Sequence, residues 1–126
     1  MMNNRDNLIS IIVPCYNEEH AIPYFYKAIT EHSTLMKNEF GVDFEYLFIN
    51  DGSVDNTLTV LKEYANKDNR VKYISFSRNF GKESAMYAGL KNASGNYIAI
   101  MDADLQDPPY MLTEMYKTII ESNDDC

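Results

Sequence analysis

The stretch that decides the fold is LISIIV, residues 8–13. It is a short apolar run rich in β-branched residues, which is typical of a strand buried on both faces of a parallel sheet. The chain then changes to helical spacing, with Ile22, Phe25 and Ile29 three or four positions apart, until Gly41 breaks the pattern. A buried strand followed by an amphipathic helix is the beginning of a βαβ unit.

The same alternation repeats along the rest of the chain. Further strands are predicted at residues 44–49, 71–76 and 97–101, and further helices at 58–65, 84–90 and 111–120. Ser53 or Asp55 is expected to cap the second helix. The order β-α-β-α-β-α-β-α predicts a three-layer α/β/α fold with a mainly parallel sheet and helices on both faces.

Composition and charge exclude several classes of protein and one class of partner. The 126 residues are 45% hydrophobic and 24% charged, which describes one globular domain and excludes collagen-like, low-complexity and disordered classes. The net charge of −8 makes nucleic acid an unexpected partner. Two cysteines, Cys15 and Cys126, are too few for a disulfide framework, and no apolar run reaches membrane-spanning length. We therefore expect a soluble chain in a reducing, cytoplasmic compartment.

Polar clusters follow all the predicted strands. They are PCYNEE at 14–19, NDGS at 50–53, SRNFGK at 77–82 and DADLQD at 102–107. Ligands of open parallel sheets bind beyond the carboxyl ends of the strands. Because those ends meet at one edge of the sheet, the sequence predicts a single binding cleft there.

Asp102 and Asp104 are the sharpest feature of these clusters. Alternate residues leaving a strand point the same way, so both carboxylates can face one point. Their hard oxygens suit Mg²⁺ or Mn²⁺, and Gln106 could add a neutral oxygen. A solvated aspartate-rich turn is the alternative. An EF-hand does not fit, because Asp107 stands where glycine is required and a strand, not a helix, comes before the motif.

Other cluster residues are candidates for binding a nucleotide. A carboxylate at the end of the second strand, here Asp51, commonly accepts hydrogen bonds from a ribose or a base, although it could also serve a simple turn. Pro14 and Tyr16 could form a wall against which a planar base stacks. Arg78 and Lys82 could meet phosphate oxygens or lie in a solvated loop. The sequence contains no glycine-rich phosphate loop, so a metal would have to hold the diphosphate.

Taken together, the clusters resemble glycosyltransferase family 2, whose fold is called GT-A. The matching segments are 11–18, 50–57 and 102–109. Residues 77–83 look like the polyprenyl-phosphate branch, which comprises dolichol-phosphate mannosyltransferases and bactoprenol glucosyltransferases. The resemblance implies that the parallel sheet is the Rossmann-like, nucleotide-binding half of a GT-A fold.

The resemblance also implies which residues hold the nucleoside, namely Pro14, Tyr16, Glu18 and Asp51, and that Asp102, Asp104 and Gln106 hold the metal. Asp51 would contact the base, and Asn50 departs from the family pattern because many members carry aspartate there. No catalytic base is identifiable. The residues assigned to the nucleotide are Pro14, Tyr16, Glu18, Asp51, Arg78, Lys82 and Asp102. The residues assigned to Mg²⁺ or Mn²⁺ are Asp102, Asp104 and Gln106.

The expected function is a metal-dependent, inverting transfer of a sugar from a UDP- or GDP-sugar to an acceptor, with a polyprenyl phosphate as the expected acceptor. Family members are considerably longer, so residues 1–126 are expected to be the nucleotide-sugar part of a truncated domain, whose full-length form would act at the cytoplasmic face of a membrane. One alternative is a nucleotide-sugar-binding module without turnover. Another is an aspartate-dependent phosphotransferase of the haloacid dehalogenase type, which carries its aspartate pair on the first strand.

Overall fold

A computed structural model describes residues 7–124 of the chain, and their side chains as far as Glu121; Cys126 lies outside this range. Strands and helices alternate throughout the described residues, as predicted. The strands are β1 (Leu8–Cys15), β2 (Asp43–Asn50), β3 (Val71–Ser75) and β4 (Tyr97–Ile100). The helices are α1 (Ala21–Phe40), α2 (Thr57–Lys67), α3 (Lys82–Asn92) and α4 (Tyr110–Asp124). The predicted α/β class is confirmed.

The sheet is parallel throughout, with the strand order β3-β2-β1-β4. In the register of the central strand β1, Ile11 lies between Tyr46 of β2 and Ala99 of β4. The chain runs outward from β1 to β3 and then returns to place β4 on the other side of β1. The strand order therefore reverses at β1, and a reversal of this kind opens a crevice where ligands bind in open parallel sheets.

The described helices cover the two faces of the sheet unequally. One face carries α1, α2 and α4, whose apolar side chains form the larger core with β-strand residues such as Ile11 and Phe48. The other face carries α3, with a smaller core around Ile12 and Ala85. At Gly89 an added Cβ would lie 2.4 Å from the Ile12 side chain, so this glycine lets α3 lie directly on β1. No helix within residues 7–124 has both the length and the hydropathy that a membrane crossing requires.

Two local predictions differ from the structure. β1 continues through Pro14, because the backbone of Pro14 faces the β4 side, where pairing with β4 has already ended at Ile12. A proline is tolerated there because its missing N–H has no strand to bond. The predicted caps of α2 hold only in part: the N-cap residue is Asn56, but Asp55 Oδ1 accepts the N–H of Thr57, the first residue of the helix, at 2.9 Å. The Ser53 hydroxyl instead accepts the N–H of Asn17 at 2.9 Å and so joins the loop after β1 to the loop after β2.

Candidate active site

A cleft of about 320 Å³ opens at the carboxyl ends of the strands, where the strand order reverses. Its lining residues are Pro14, Cys15, Tyr16, Glu18, Asp51, Asn79, Gly81, Lys82 and Asp102. Six of the seven residues assigned to the nucleotide from the sequence are in this set. Arg78 is not; its guanidinium lies 4.7 Å from the centre of the Phe80 ring. A larger hollow of about 540 Å³ is mostly apolar and lies between α3 and two residues that follow β3, Phe76 and Phe80.

Asp51 is buried and holds the loop that follows β3. Its Oδ1 accepts the N–H of Phe80 at 2.7 Å, and its Oδ2 accepts the N–H of Gly81 at 3.0 Å. The side-chain amide of Asn79 donates to the same carboxylate at 3.3 Å and to the Asp51 carbonyl at 3.2 Å. Both carboxylate oxygens of Asp51 therefore accept from the 79–81 loop, which sequence reasoning did not anticipate.

Gly52 makes this contact possible. Its φ is +69°, and an added Cβ would lie 2.1 Å from the carbonyl carbon of Arg78 and 2.2 Å from the nitrogen of Asn79. Glycine is the residue that combines a positive φ with so close a backbone approach. The Asp51–Gly52 turn and the loop after β3 thus form one unit, and Asn79 and Gly81 reach the cleft as a result. The glycine after a strand-end aspartate was the sequence signal for this contact.

Lys82 begins α3 and reaches across the cleft to the loop after β4. Its Nζ lies 2.8 Å from Oδ1 of Asp102, twenty positions further along the chain. The hydrogen bond and the negative charge of Asp102 raise the pKa of the Lys82 ammonium, so it stays protonated. This ion pair joins two residues that the sequence assigned to the same nucleotide.

Glu18 shows the electrostatic character of the cleft. Its backbone N–H donates to Thr57 Oγ1 at 2.9 Å, which fixes the loop after β1. Partial burial, followed by the charges of Asp104 and Asp102, raises the pKa of the Glu18 carboxyl. The negative charges of Asp104 and Asp102 therefore repel that of Glu18. Burial likewise raises the pKa of the neighbouring Cys15 thiol, which makes that thiol a poor nucleophile.

The residues assigned to a divalent cation lie on the loop after β4. Asp102 lines the cleft, and Asp104 is exposed, with its Oδ2 accepting from Nε2 of Gln106 at 3.1 Å. Leu105 turns the loop with a φ of +58°, and its N–H donates to the Asp102 carbonyl at 3.2 Å. Residues 102, 104 and 106 are thereby held in one tight turn.

This donor set fits an oxygen-preferring cation of the Mg²⁺ type. Within residues 7–124 there is no group of three or more His, Cys, Asp or Glu side chains arranged to hold a metal ion by itself. Mg²⁺ is commonly held by only one or two carboxylates, with water and substrate phosphates completing its coordination. Asp102 and Asp104 meet that requirement without forming a closed protein cage.

A parallel sheet with an acidic cleft at its strand reversal is the arrangement of a nucleotide-binding α/β protein. A family model described as Glycosyl transferase family 2 matches residues 10–126. The chain belongs to this family of glycosyltransferases, which replaces the phosphotransferase alternative.

Two curated relatives carry the name of one enzyme type. The bactoprenol glucosyl transferase of Shigella phage SfV is 49% identical over 100 residues, which cover 79% of this chain and 31% of that protein. The prophage bactoprenol glucosyl transferase homolog of Escherichia coli (strain K12) has the same identity and coverage. The chain thus spans about a third of the length of these relatives.

Solved structures agree with the fold. S. aureus TarS 1-349 matches with a TM-score of 0.70 and 29% identity over 90% of this chain and 32% of that one. The same protein in complex with UDP-GlcNAc matches with a TM-score of 0.67 and 30% identity, over 90% of this chain and 31% of that one. The mannosyltransferase PcManGT from Pyrobaculum calidifontis, in complex with GDP-Man and Mn²⁺, has a TM-score of 0.66 at 22% identity, over 84% of this chain and 30% of that one, and so supports the fold alone.

Proposed function

We propose that residues 1–126 bind the nucleotide-sugar donor for a metal-dependent, inverting transfer of a sugar to a polyprenyl phosphate. The carrying observation is the cleft at the strand reversal, with Glu18, Asp51 and Asp102 in its wall. The names of the relatives support the acceptor, and the UDP-GlcNAc complex of TarS supports the donor class. In this proposal the chain is the nucleotide-sugar part of a GT-A domain that works at the cytoplasmic face of a membrane.

The wall of the cleft offers separate contacts for the parts of the donor. Tyr16 is about half exposed and stands next to Pro14, so its ring is accessible to a base. Stacking of a base on an aromatic ring contributes about 1–3 kcal/mol. The Asn79 amide, held at the rim by Asp51, adds a polar group that can orient the base or ribose. Lys82 supplies the ammonium for the phosphates.

The charge of the cleft explains why a cation is needed. Three carboxylates, those of Glu18, Asp51 and Asp102, line it together with one ammonium, that of Lys82. A diphosphate would meet net repulsion in such a site. A divalent cation bound by Asp102, Asp104 and Gln106 would supply positive charge to stabilise the diphosphate as it leaves.

Transfer then requires no base from this part of the chain. An oxygen of the acceptor phosphate attacks the anomeric carbon, the bond from that carbon to the diphosphate breaks, and its electron pair leaves with the nucleoside diphosphate. A lipid phosphate is already anionic near neutral pH, so no proton has to be removed from it. Attack opposite the leaving group inverts the configuration at the anomeric carbon.

Calorimetric titration tests the donor site directly. UDP, UDP-glucose and GDP-mannose are added to the chain with Mn²⁺ and again with EDTA. We expect binding that weakens at least about tenfold without Mn²⁺ and in Asp104→Asn, because the phosphates then lose their counter-charge. Asp107→Asn is the matched control, since it removes an exposed carboxylate of the same loop that has no assigned role. Full affinity in EDTA would overturn the metal assignment.

A second candidate is donor binding without turnover, because the cleft residues with a proposed role all contact the nucleotide or the cation. The two candidates differ in one measurement. Release of UDP from UDP-glucose on addition of a polyprenyl phosphate shows transfer, whereas tight binding with no release shows a binding module.

A further inference from the structure

Lys82 occupies an unusual place in an acidic cleft. Among the described residues that line the cleft, it carries the one ammonium or guanidinium group, and its Nζ bonds the aspartate that is also assigned to the metal. The same Asp102 oxygen cannot give its full charge to Lys82 and to a divalent cation. Either the ion pair is a fixed part of the site, or it has to open when a cation binds.

We propose that Lys82 is a displaceable counter-ion, which neutralises Asp102 in the absence of a divalent cation and moves its ammonium to the diphosphate when Asp102 binds one. This inference rests on the proposed function. In this proposal the Lys82 ammonium has two partners in turn, Asp102 first and the diphosphate afterwards, on the two sides of the same cleft.

The ion pair is suited to opening. The Lys82 side chain is 60% exposed and that of Asp102 30% exposed, so water screens their attraction and can replace it on either side. Lysine carries a point charge on a flexible four-carbon stem, and its bonds have no fixed planar geometry to lose. The ammonium can therefore change partners at little cost.

The backbone beneath Lys82 is held firmly by comparison. The N–H of Gly81 donates to Asp51, and the Gly81 carbonyl accepts the N–H of Ala85 as α3 begins. The start of α3 is thus fixed on the Asp51–Gly52 turn. A change of partner consequently involves the side chain of Lys82 and leaves the loop in place.

The negative charges around the Lys82–Asp102 ion pair explain why a lysine lies at this position. Burial raises the pKa of the Glu18 carboxyl, and the negative charges of Asp104 and Asp102 raise it further, so these two charges repel that of Glu18. The Lys82 ammonium offsets part of this repulsion when no other cation is present. It also keeps a positive charge beside the cleft, ready for the phosphates that enter with the nucleotide.

The proposal is tested by replacing Lys82, which should change the binding constants for Mn²⁺ and for UDP in opposite directions. Mn²⁺ binding to the chain alone is followed by electron paramagnetic resonance, and UDP binding at saturating Mn²⁺ by calorimetry. In Lys82→Gln we expect Mn²⁺ alone to bind about threefold to tenfold more tightly, because Asp102 is released. We expect UDP to bind about tenfold more weakly, because a charged phosphate contact is lost.

Two further variants complete the test. Lys91→Gln removes an equal charge from α3 outside the cleft and should leave both constants unchanged. Lys82→Arg keeps the charge and pairs more firmly with a carboxylate, so Mn²⁺ alone should bind no more tightly than in the wild type. Thermal unfolding shows that each variant is folded.

The outcomes separate the two proposals. If Lys82→Gln weakens both constants, or leaves Mn²⁺ binding unchanged, the displacement of Lys82 is overturned while the donor site stands. If the wild-type chain binds UDP equally well in EDTA, the metal-dependent function fails. A tighter Mn²⁺ constant in Lys82→Gln would then still show that Lys82 competes for Asp102.

Discussion

Two polar clusters lie at opposite ends of the same sheet, one around Glu45 and one around Glu18, Asp102 and Asp104, and they are built in opposite ways. At the amino ends of the strands, Glu45 is 4% exposed and its charge is fully partnered. Its carboxylate accepts from the Ser10 hydroxyl at 2.5 Å, the Ser94 N–H at 2.6 Å and the Lys72 ammonium at 2.9 Å. Burial alone would raise the pKa of Glu45, but these bonds hold it below its usual value.

At the carboxyl ends the charges accumulate instead. Burial and the carboxylates of Asp104 and Asp102 raise the pKa of Glu18, and the ammonium of Lys82, which bonds Asp102, offsets only part of this repulsion. The partnered cluster ties the connection between α3 and β4 to the sheet and has a structural role. The other cluster retains electrostatic energy that a cation could release, which is typical of a functional site.

Removing the partnered charge should have the largest effect on stability. Glu45→Ala leaves the Ser94 N–H and the Ser10 hydroxyl without their acceptor, and we expect it to lower the free energy of unfolding by about 2–4 kcal/mol. Urea denaturation followed by circular dichroism measures the change. Glu63→Ala, on an exposed position of α2, is the control and should stay within about 0.5 kcal/mol.

The effect of Glu45→Ala on stability should also depend on pH in one direction. Because the folded state lowers the pKa of Glu45, its contribution is present above the unfolded carboxyl pKa and is lost as pH falls through the folded value. The difference between wild type and Glu45→Ala should therefore shrink in acid. A difference that is small at pH 7, or that grows in acid, would refute the structural role of this cluster.

Among the described residues of the cleft, Asp51 is the carboxylate that is partnered through both oxygens in the manner of Glu45, and Gly52 makes this possible. Gly52→Ala should cost about 1–3 kcal/mol, because the new Cβ meets the backbone of Arg78 and Asn79. We expect faster amide hydrogen exchange at Phe80 and Gly81, together with weaker UDP binding.

Gly41→Ala separates strain from contact. Gly41 has a similar φ of +72°, but a Cβ there would meet nothing within 4 Å. This variant should lose about 1 kcal/mol and keep its UDP affinity. Equal effects of the two substitutions on UDP affinity would show that the contact between Gly52 and the loop after β3 has no part in binding.

The fold could be predicted because its signals are local. The buried strands β1 and β2 are mostly apolar runs, and Gly41 ends α1 in the left-handed conformation with its N–H on the Lys37 carbonyl. The continuation of β1 through Pro14 could not be predicted, because it depends on where the neighbouring strand β4 ends.

The candidate site divides in the same way. The clusters at the strand ends predicted which loops meet, since the edge of a parallel sheet follows from topology alone. The bond from Lys82 to Asp102 and the loop contacts of Asp51 depend on side-chain directions across distant segments, which no spacing encodes. Glu45 could have been recognised in the sequence, because it is a charged residue inside the apolar run of β2.

The smallest predicted effect has the opposite sign to the first. Because the folded state raises the pKa of Glu18, the charged carboxyl destabilises the fold at pH 7. This cost begins to shrink as pH falls through the folded pKa and is gone below the unfolded pKa. Glu18→Gln should therefore stabilise the chain at pH 7 by about 0.5 kcal/mol, an effect kept small by solvent screening. This gain in stability should vanish in acid. The same substitution should also change Mn²⁺-dependent UDP binding if Glu18 contributes to the site. Glu19→Gln, at the next position, is the control for net charge. If Glu18→Gln destabilises the chain as Glu45→Ala does, the two ends of the sheet are alike and the contrast drawn between them fails.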